Sequence, residues 1–276
     1  MMQQYLDIKA QNPDSILFFR LGDFYEMFHD DAKLVSKELD LTLTTRDRNK
    51  PPEERTPMCG VPSCDSYIAR LISKGYKVAI CEQTEDPAQA KGLVDRDIIR
   101  VITPGTVIAS SMLEEGKNNY ICAVYVGCAA CGLCLCDIST GEGYGSSFPA
   151  NEEGFGHLQN ELARFHPAEA VLSSEAWSRE GLAAFLKERL GCLCENGGEA
   201  RFRIETARPL AEKQFKTGLE QIPAGDEAAI QAAGGLLAYL YETQKTDLSH
   251  ISHFSYYSAG QFMELDLTAR QTLELT

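Results

Sequence analysis

The segment Gly22-Asp-Phe-Tyr-Glu-Met-Phe28 sets an aromatic ring, Phe24, two residues from a carboxylate, Glu26. In extended backbone, residues i and i+2 project to one side, so the two groups stand together. On a helix they would diverge by about 200°, because each residue turns about 100°. A flat ring beside a hydrogen-bonding carboxylate is poor equipment for hydrolysis and good equipment for reading a base. The ring can wedge into a base step while the carboxylate meets a base edge. The same pattern also suits a half-buried strand whose rings, Phe24 and Phe28, pack into a core, and residue types alone favour that reading because an aromatic in a strand usually packs.

Other residues with possible chemistry point elsewhere. Asp137 and Glu142 could hold Mg²⁺ in a nuclease, yet two carboxylates on neighbouring strands are common without catalysis. Cys128, Cys131, Cys134 and Cys136 are crowded together, and Cys192 and Cys194 form a pair. Two knuckles about 15–20 residues apart, as in a zinc ribbon, are absent. These thiols therefore read as small buried hydrophobes in strands. No G-x-x-x-x-G-K-[ST] phosphate loop occurs in the sequence; Gly141-Glu-Gly-Tyr-Gly-Ser146 has neither its lysine nor its spacing.

The elements that must carry these groups are legible. Ile16 to Leu21 is β-prone, Gly22-Asp23 is a turn, and Phe24 to Phe28 is extended again. Asp30 and Asp31 open a helix with Ala32, Val35 and Leu39 on its buried face. A second helix covers 65–74, with Gly75 as its stop, and strands follow at 76–81 and 98–102. This alternation predicts a compact α/β domain over 1–107, then a polar linker over 108–119. A further domain over 120–248 opens with a meander of strands near 120–126, 132–138 and 142–148. Helices at 152–165, 177–190, 209–216 and 227–243, with strands at 170–172 and 201–204, complete a ribonuclease-H-like α/β order. The stretch 249–276 starts a third region and reads as a truncated helical stub, since Phe262, Leu265, Leu273 and Leu275 need partners.

Charge limits where nucleic acid could bind. The 276 residues carry 26 Lys and Arg against 40 Asp and Glu, a net charge of −14. Residues 1–107 hold 14 against 17, a net of −3, which leaves 12 against 23, a net of −11, for the remainder. Acidity downstream repels a phosphate backbone, so phosphate contacts are expected only from local patches in the first domain. The candidates are Arg46, Arg48 and Arg55 in a Pro-rich loop, with Arg96 and Arg100 near the domain end. A purely acidic protein-interaction module is the alternative use of the second domain. No signal peptide or apolar run of ~20 residues appears, which implies a soluble, cytoplasmic protein with no membrane partner.

Gly22-Asp-Phe-Tyr-Glu26 followed by Phe28-His-Asp-Asp-Ala32 resembles the N-terminal mismatch-binding domain of the MutS family. The likeness continues through Pro57-Met-Cys-Gly-Val-Pro62, Val78-Ala-Ile-Cys-Glu-Gln83, Asp86-Pro-Ala88 and Lys91-Gly92. It extends to Arg100-Val-Ile-Thr-Pro-Gly-Thr106, Asp137-Ile-Ser-Thr-Gly141, and finally Leu265-Asp266, Arg270 and Leu273-Glu-Leu275. Gln271-Thr272 departs from the family's usual basic residue and Asn, away from the reader segment.

The resemblance implies a mixed-sheet mismatch-binding domain, a connector domain and the start of the core. It implies that Phe24 and Glu26 read mispaired or unpaired bases in duplex DNA. It also implies that this chain is not itself an enzyme and holds no cofactor, while the full-length family protein is an ATPase using ATP and Mg. Partners implied are mismatched duplex DNA, a second copy in the full-length homodimer, and a MutL-like repair ATPase reached through the connector.

Overall fold

The computed structural model describes residues 1–85, 92, 94–113 and 116–258. They fall into two compact units, Met1–Pro104 with Thr243–Lys245, and Gly105–Glu242 with the residues from Thr246 on.

The first unit runs α1 (Met2–Gln11), β1 (Ser15–Leu21), β2 (Phe24–Phe28), α2 (His29–Leu39), β3 (Thr44–Thr45), β4 (Pro57–Val61), α3 (Asp65–Ile72), β5 (Lys77–Gln83) and β6 (Arg96–Ile102). Its mixed sheet has the order β3-β4-β2-β1-β5-β6. β1 lies inside it, antiparallel to β2 and parallel to β5. Because β1 is covered on both faces, Ile16, Leu17, Phe18 and Phe19 form one continuous apolar run, all of it buried.

α2 forms where expected, with Ala32, Val35 and Leu39 buried. Asp31 does more than complement the positive end of that helix. It is buried and accepts from the Leu17 amide at 2.9 Å, from the Tyr5 hydroxyl at 3.2 Å and from Lys9 Nζ at 3.0 Å. Those bonds tie α1 and β1 to α2. α1 itself is absent from the sequence reading, because only Tyr5 and Ile8 of its ten residues are buried, too few for a helical stripe. Its Tyr5 ring packs edge-on against Phe19 and Phe28, at centroid distances of 5.5 and 5.0 Å.

The second unit runs β7 (Tyr120–Val126), β8 (Ala130–Asp137), β9 (Glu142–Pro149), α4 (Glu152–Phe165), β10 (Glu169–Leu172), α5 (Ser174–Ser178), α6 (Leu182–Ala184), β11 (Leu193–Asn196), α7 (Ile204–Gln214), α8 (Ala228–Gln244, whose last two residues group with the first unit) and β12 (His253–Tyr256). The sheet order is β11-β10-β7-β8-β9-β12. β7, β8 and β9 form the antiparallel meander, and β10 and β11 add in parallel beside β7, as a ribonuclease-H-like arrangement requires. Cys122, Leu133 and Leu135 pack with Leu158 and Leu162 on one face, while Ile121, Ala123 and Cys134 pack with Leu236 and Leu240 on the other.

Several expectations need correction. The strand read at 201–204 is a tight turn at Ala200–Phe202 followed by the first residue of α7, and the strand in this part is β11. The alternation Arg-Phe-Arg-Ile looks β-like, but Phe202 is fully buried as a plug in the α8 cluster. The single helix read over 177–190 is broken into α5, α6 and a π-helical turn at Phe185–Arg189. Gly181 makes that break with φ +83°, a left-handed conformation an ordinary side chain resists. In the stretch read as a helical stub, His253–Tyr256 instead forms β12, parallel to β9. Positions 259–276, including Phe262, Leu265, Arg270, Gln271, Thr272, Leu273 and Leu275, lie outside the described residues, as do Asp86-Pro-Ala88 and Lys91.

Candidate nucleic-acid interface

Phe24 is the first residue of β2 and follows the two-residue turn that pairs Leu21 with it. The pleat sends Phe24, Glu26 and Phe28 to one face and Tyr25 and Met27 to the other. α1 covers the first face only at one end, where Tyr5 meets Phe28. Phe28 is accordingly fully buried, whereas Phe24, four residues earlier on the same face, is 47% exposed.

Glu26 lies between these extremes. Its register neighbours are Phe19 on β1 and Gly60 on β4. A Cβ at Gly60 would sit 3.4 Å from the Glu26 Cγ, so glycine lets the carboxylate arm lie close over β4. Oε2 of Glu26 is buried and has no hydrogen-bond partner. The nearest cation, Arg46 Nη1, stands at 3.8 Å, within ion-pair range but beyond a hydrogen bond. Burial raises the Glu26 carboxyl above the ordinary carboxylate range, and the Arg46 charge partly offsets that rise.

The five arginines read as phosphate contacts do not form one surface. Arg46 is directed at Glu26 and also faces the Phe28 ring, with its guanidinium carbon 6.0 Å from the centroid. Arg48 is exposed in the loop before β4. Arg55 belongs to the same loop and donates from Nε to the Lys50 carbonyl at 2.8 Å. Arg96, on the edge strand β6, is turned inward. It donates to the carbonyls of Arg20 and Val94, both at 2.8 Å, and to Gln4 Oε1 at 3.0 Å, and it lies 5.1 Å from the Phe19 ring centroid. Arg100 is partly buried and donates to Oε1 of Gln244, in the same unit, at 2.9 Å.

Sequence reading missed Tyr5, Asp31 as a buried hub, and the hydrogen bond from Tyr25 to Glu82. Only a lone Tyr in a polar stretch and one of two adjacent Asp residues hinted at them.

In the second unit the other candidate chemistry dissolves into structure. Asp137 is 1% exposed, and its oxygens accept from the amides of Asn119 and Ser139 and from the Ser139 hydroxyl, at 3.0, 2.9 and 2.6 Å. They close a turn, so the bonds of Asp137 go to its own neighbours along the chain although Glu142 is its direct cross-strand partner. The cysteine cluster is divided by the sheet: Cys131 packs on one face, Cys134 and Cys136 on the other. All ten thiols are free, and burial pushes Cys131 up to about 11 and Cys136 up to about 12. No group of three or more His, Cys, Asp or Glu among the described residues could hold a metal ion. Nor is any helix among them long and apolar enough to cross a membrane.

An open ring thus stands at a strand end beside a half-buried carboxylate whose Oε2 has no hydrogen-bond partner. Residues 1–111 match the family MutS domain I, and residues 119–252 match MutS domain II. The whole chain is 49% identical to a DNA mismatch repair protein MutS of Acetivibrio thermocellus and 48% identical to that of Ruminiclostridium cellulolyticum, covering 32% and 31% of those proteins. Over 99% of the chain it is 42% identical to the MutS protein of Methanococcoides burtonii, of which 31% is covered. The chain belongs to the MutS family, and it spans about a third of the length of the curated relatives it matches.

Proposed function

We propose that this chain supplies the mismatch-reading part of a MutS protein. In this reading Phe24 enters the minor groove and stacks on a mispaired or unpaired base, while Glu26 hydrogen-bonds to that base. The observation that carries it is the contrast on one strand face, where Phe28 is sealed and Phe24 is 47% exposed. Unstacking a normal step costs a few kcal/mol, and a defect already lacks part of that stacking. Stacking on a ring is worth roughly 1–3 kcal/mol and tolerates any base, which suits a reader of many different mispairs. Discrimination then follows deformability more than a base code.

Glu26 contributes through its unmet hydrogen-bonding capacity. An ionised carboxylate is repelled by phosphates and gains nothing from an intact duplex. At a mispair, a base nitrogen shares a hydrogen bond with it, and DNA's negative field adds to burial in favouring the protonated, donating form. Arg48 and Arg55 are the arginines best placed to meet phosphates and set position without reading sequence. Arg96 and Arg100 serve the domain's own fold. The second unit, with most of the net −14, acts as a connector toward a MutL-like repair ATPase. ATP, Mg and the homodimer belong to the full-length protein in this reading, in the cytoplasm. The isolated chain, without clamp or second copy, binds DNA weakly.

The test is Phe24→Ala in a MutS protein of full family length carrying this chain. Loss of heteroduplex preference is expected, and preference retained at the original ratio would refute the reading. For Glu26, heteroduplex affinity is measured against pH in wild type and Glu26→Gln. A wild-type pH dependence that survives the substitution would remove protonation from the account.

A further inference from the structure

We propose that Arg46 is a specificity-determining positioning residue that acts through Glu26 rather than on phosphate, an inference that rests on reading Phe24 and Glu26 as the base reader. Arg46 directly follows β3, and its amide donates to the Thr56 carbonyl at 3.2 Å, which anchors the backbone. From there the guanidinium points over the sheet face. It meets Glu26 Oε2 at 3.8 Å, the Met1 sulfur at 3.8 Å and the Phe28 ring at 6.0 Å. Gly60, between the two strands, has no side chain to obstruct that approach. The side chain is 44% exposed, yet its guanidinium runs along the strand that carries Glu26 instead of standing off into solvent.

The separation matters as much as the direction. At 3.8 Å the pair attracts without a hydrogen bond, so Arg46 biases the charge of Glu26 without filling the hydrogen-bonding capacity of Oε2. Arg46 supplies the positive charge acting on Glu26; its register neighbours Phe19 and Gly60 carry none. The guanidinium thereby opposes the upward push of burial and favours the ionised form of Glu26, which repels intact duplex. Without Arg46, the half-buried carboxyl takes up a proton more readily and opposes homoduplex less. The signature is a loss of discrimination without the parallel weakening of both duplexes that a lost phosphate contact gives.

The experiment places Arg46→Ala, Arg46→Lys, Glu26→Gln and the Arg46→Ala/Glu26→Gln double variant in a MutS protein of full family length carrying this chain. Affinities for a mismatched and a fully paired duplex are measured across a salt series. Arg46→Ala is expected to lower the heteroduplex-to-homoduplex ratio by about fivefold, with Arg46→Lys restoring most of it. In the Glu26→Gln background, Arg46→Ala is expected to leave the ratio unchanged. If Arg46→Ala instead weakens both duplexes alike and lowers the salt slope by about 0.9, Arg46 is a phosphate contact and the inference is overturned. An equal loss of ratio with and without Glu26 also overturns it. Discrimination untouched by Glu26→Gln and Phe24→Ala would overturn the base-reader reading itself, a different outcome from either of these.

Discussion

Glu26 in the first unit and Glu169 in the second are both sheet carboxylates, and they differ in how far their hydrogen bonds are met. Glu169 is fully buried, with Oε1 accepting from the Tyr239 hydroxyl at 2.6 Å and Oε2 from the Gly105 amide at 3.1 Å. Glu26 is less buried, yet its Oε2 has no donor at all. Buried polar groups ordinarily find partners within the protein. A carboxylate with both oxygens bonded holds a fold together, whereas Glu26, on the interior strand β2, keeps one oxygen without a donor. Depth of burial alone does not tell which of the two has its bonds met.

The sharpest way to break this comparison is through the two rings flanking Glu26. Phe28→Ala is expected to cost about 3–5 kcal/mol of stability, as removal of a core aromatic does. Phe24→Ala should stay within about 0.5 kcal/mol. Denaturant unfolding of both variants checks this, and equal losses would mean that Phe24 is a core residue. Next in size, Glu169→Ala should destabilise the chain by about 1–3 kcal/mol, since it strands a buried amide and hydroxyl. Mismatch preference in the full-length frame should be unaffected. A fall in preference at constant stability would give Glu169 a role in recognition and erase the contrast.

The arginines sharpen it further. Arg96→Ala removes three hydrogen bonds made inside the first unit. It should lower stability by about 1–2 kcal/mol with the salt slope of DNA binding intact. Arg48→Ala should do the reverse, with stability within about 0.5 kcal/mol and a slope reduced by about 0.9. The smallest effect concerns Glu26 and pH. Its carboxyl is raised by folding, so between the unfolded and folded values the native state binds more protons. Stability therefore falls as pH rises through that window and is regained on acidification. Glu26→Gln should flatten this component and raise stability at neutral pH by no more than about 0.5 kcal/mol. Thermal unfolding across an acidic-to-neutral pH series reads it directly.

The shared side of Phe24 and Glu26 was legible because extended backbone forces residues i and i+2 together whatever surrounds them. The meander of β7, β8 and β9 was legible for a related reason: apolar runs broken by Gly-containing turns leave few alternatives over so short a range. Less could be read wherever a distant partner decides the outcome. Arg201 to Ile204 alternates like a strand, but burial of Phe202 against α8 makes it a turn. Met2–Gln11 shows almost no stripe, yet Tyr5 and Asp31 dock it as a helix. Arg96 and Arg100 looked like free positive charge until their partners, Gln4, Arg20, Val94 and Gln244, were placed beside them.

The amino-acid sequence by itself determined the family, the alternation of strands and helices, and the side of β2 on which the ring and carboxylate stand. These follow from local periodicity and from motifs that keep their order along the chain. Tertiary structure alone decided which of two equivalent rings is sealed, which carboxylate is left without a donor, and which arginine faces it. Exposure and hydrogen-bond satisfaction depend on neighbours brought from far along the chain. α1 closes over Phe28 and stops short of Phe24, and no local pattern in β2 encodes where that cover ends.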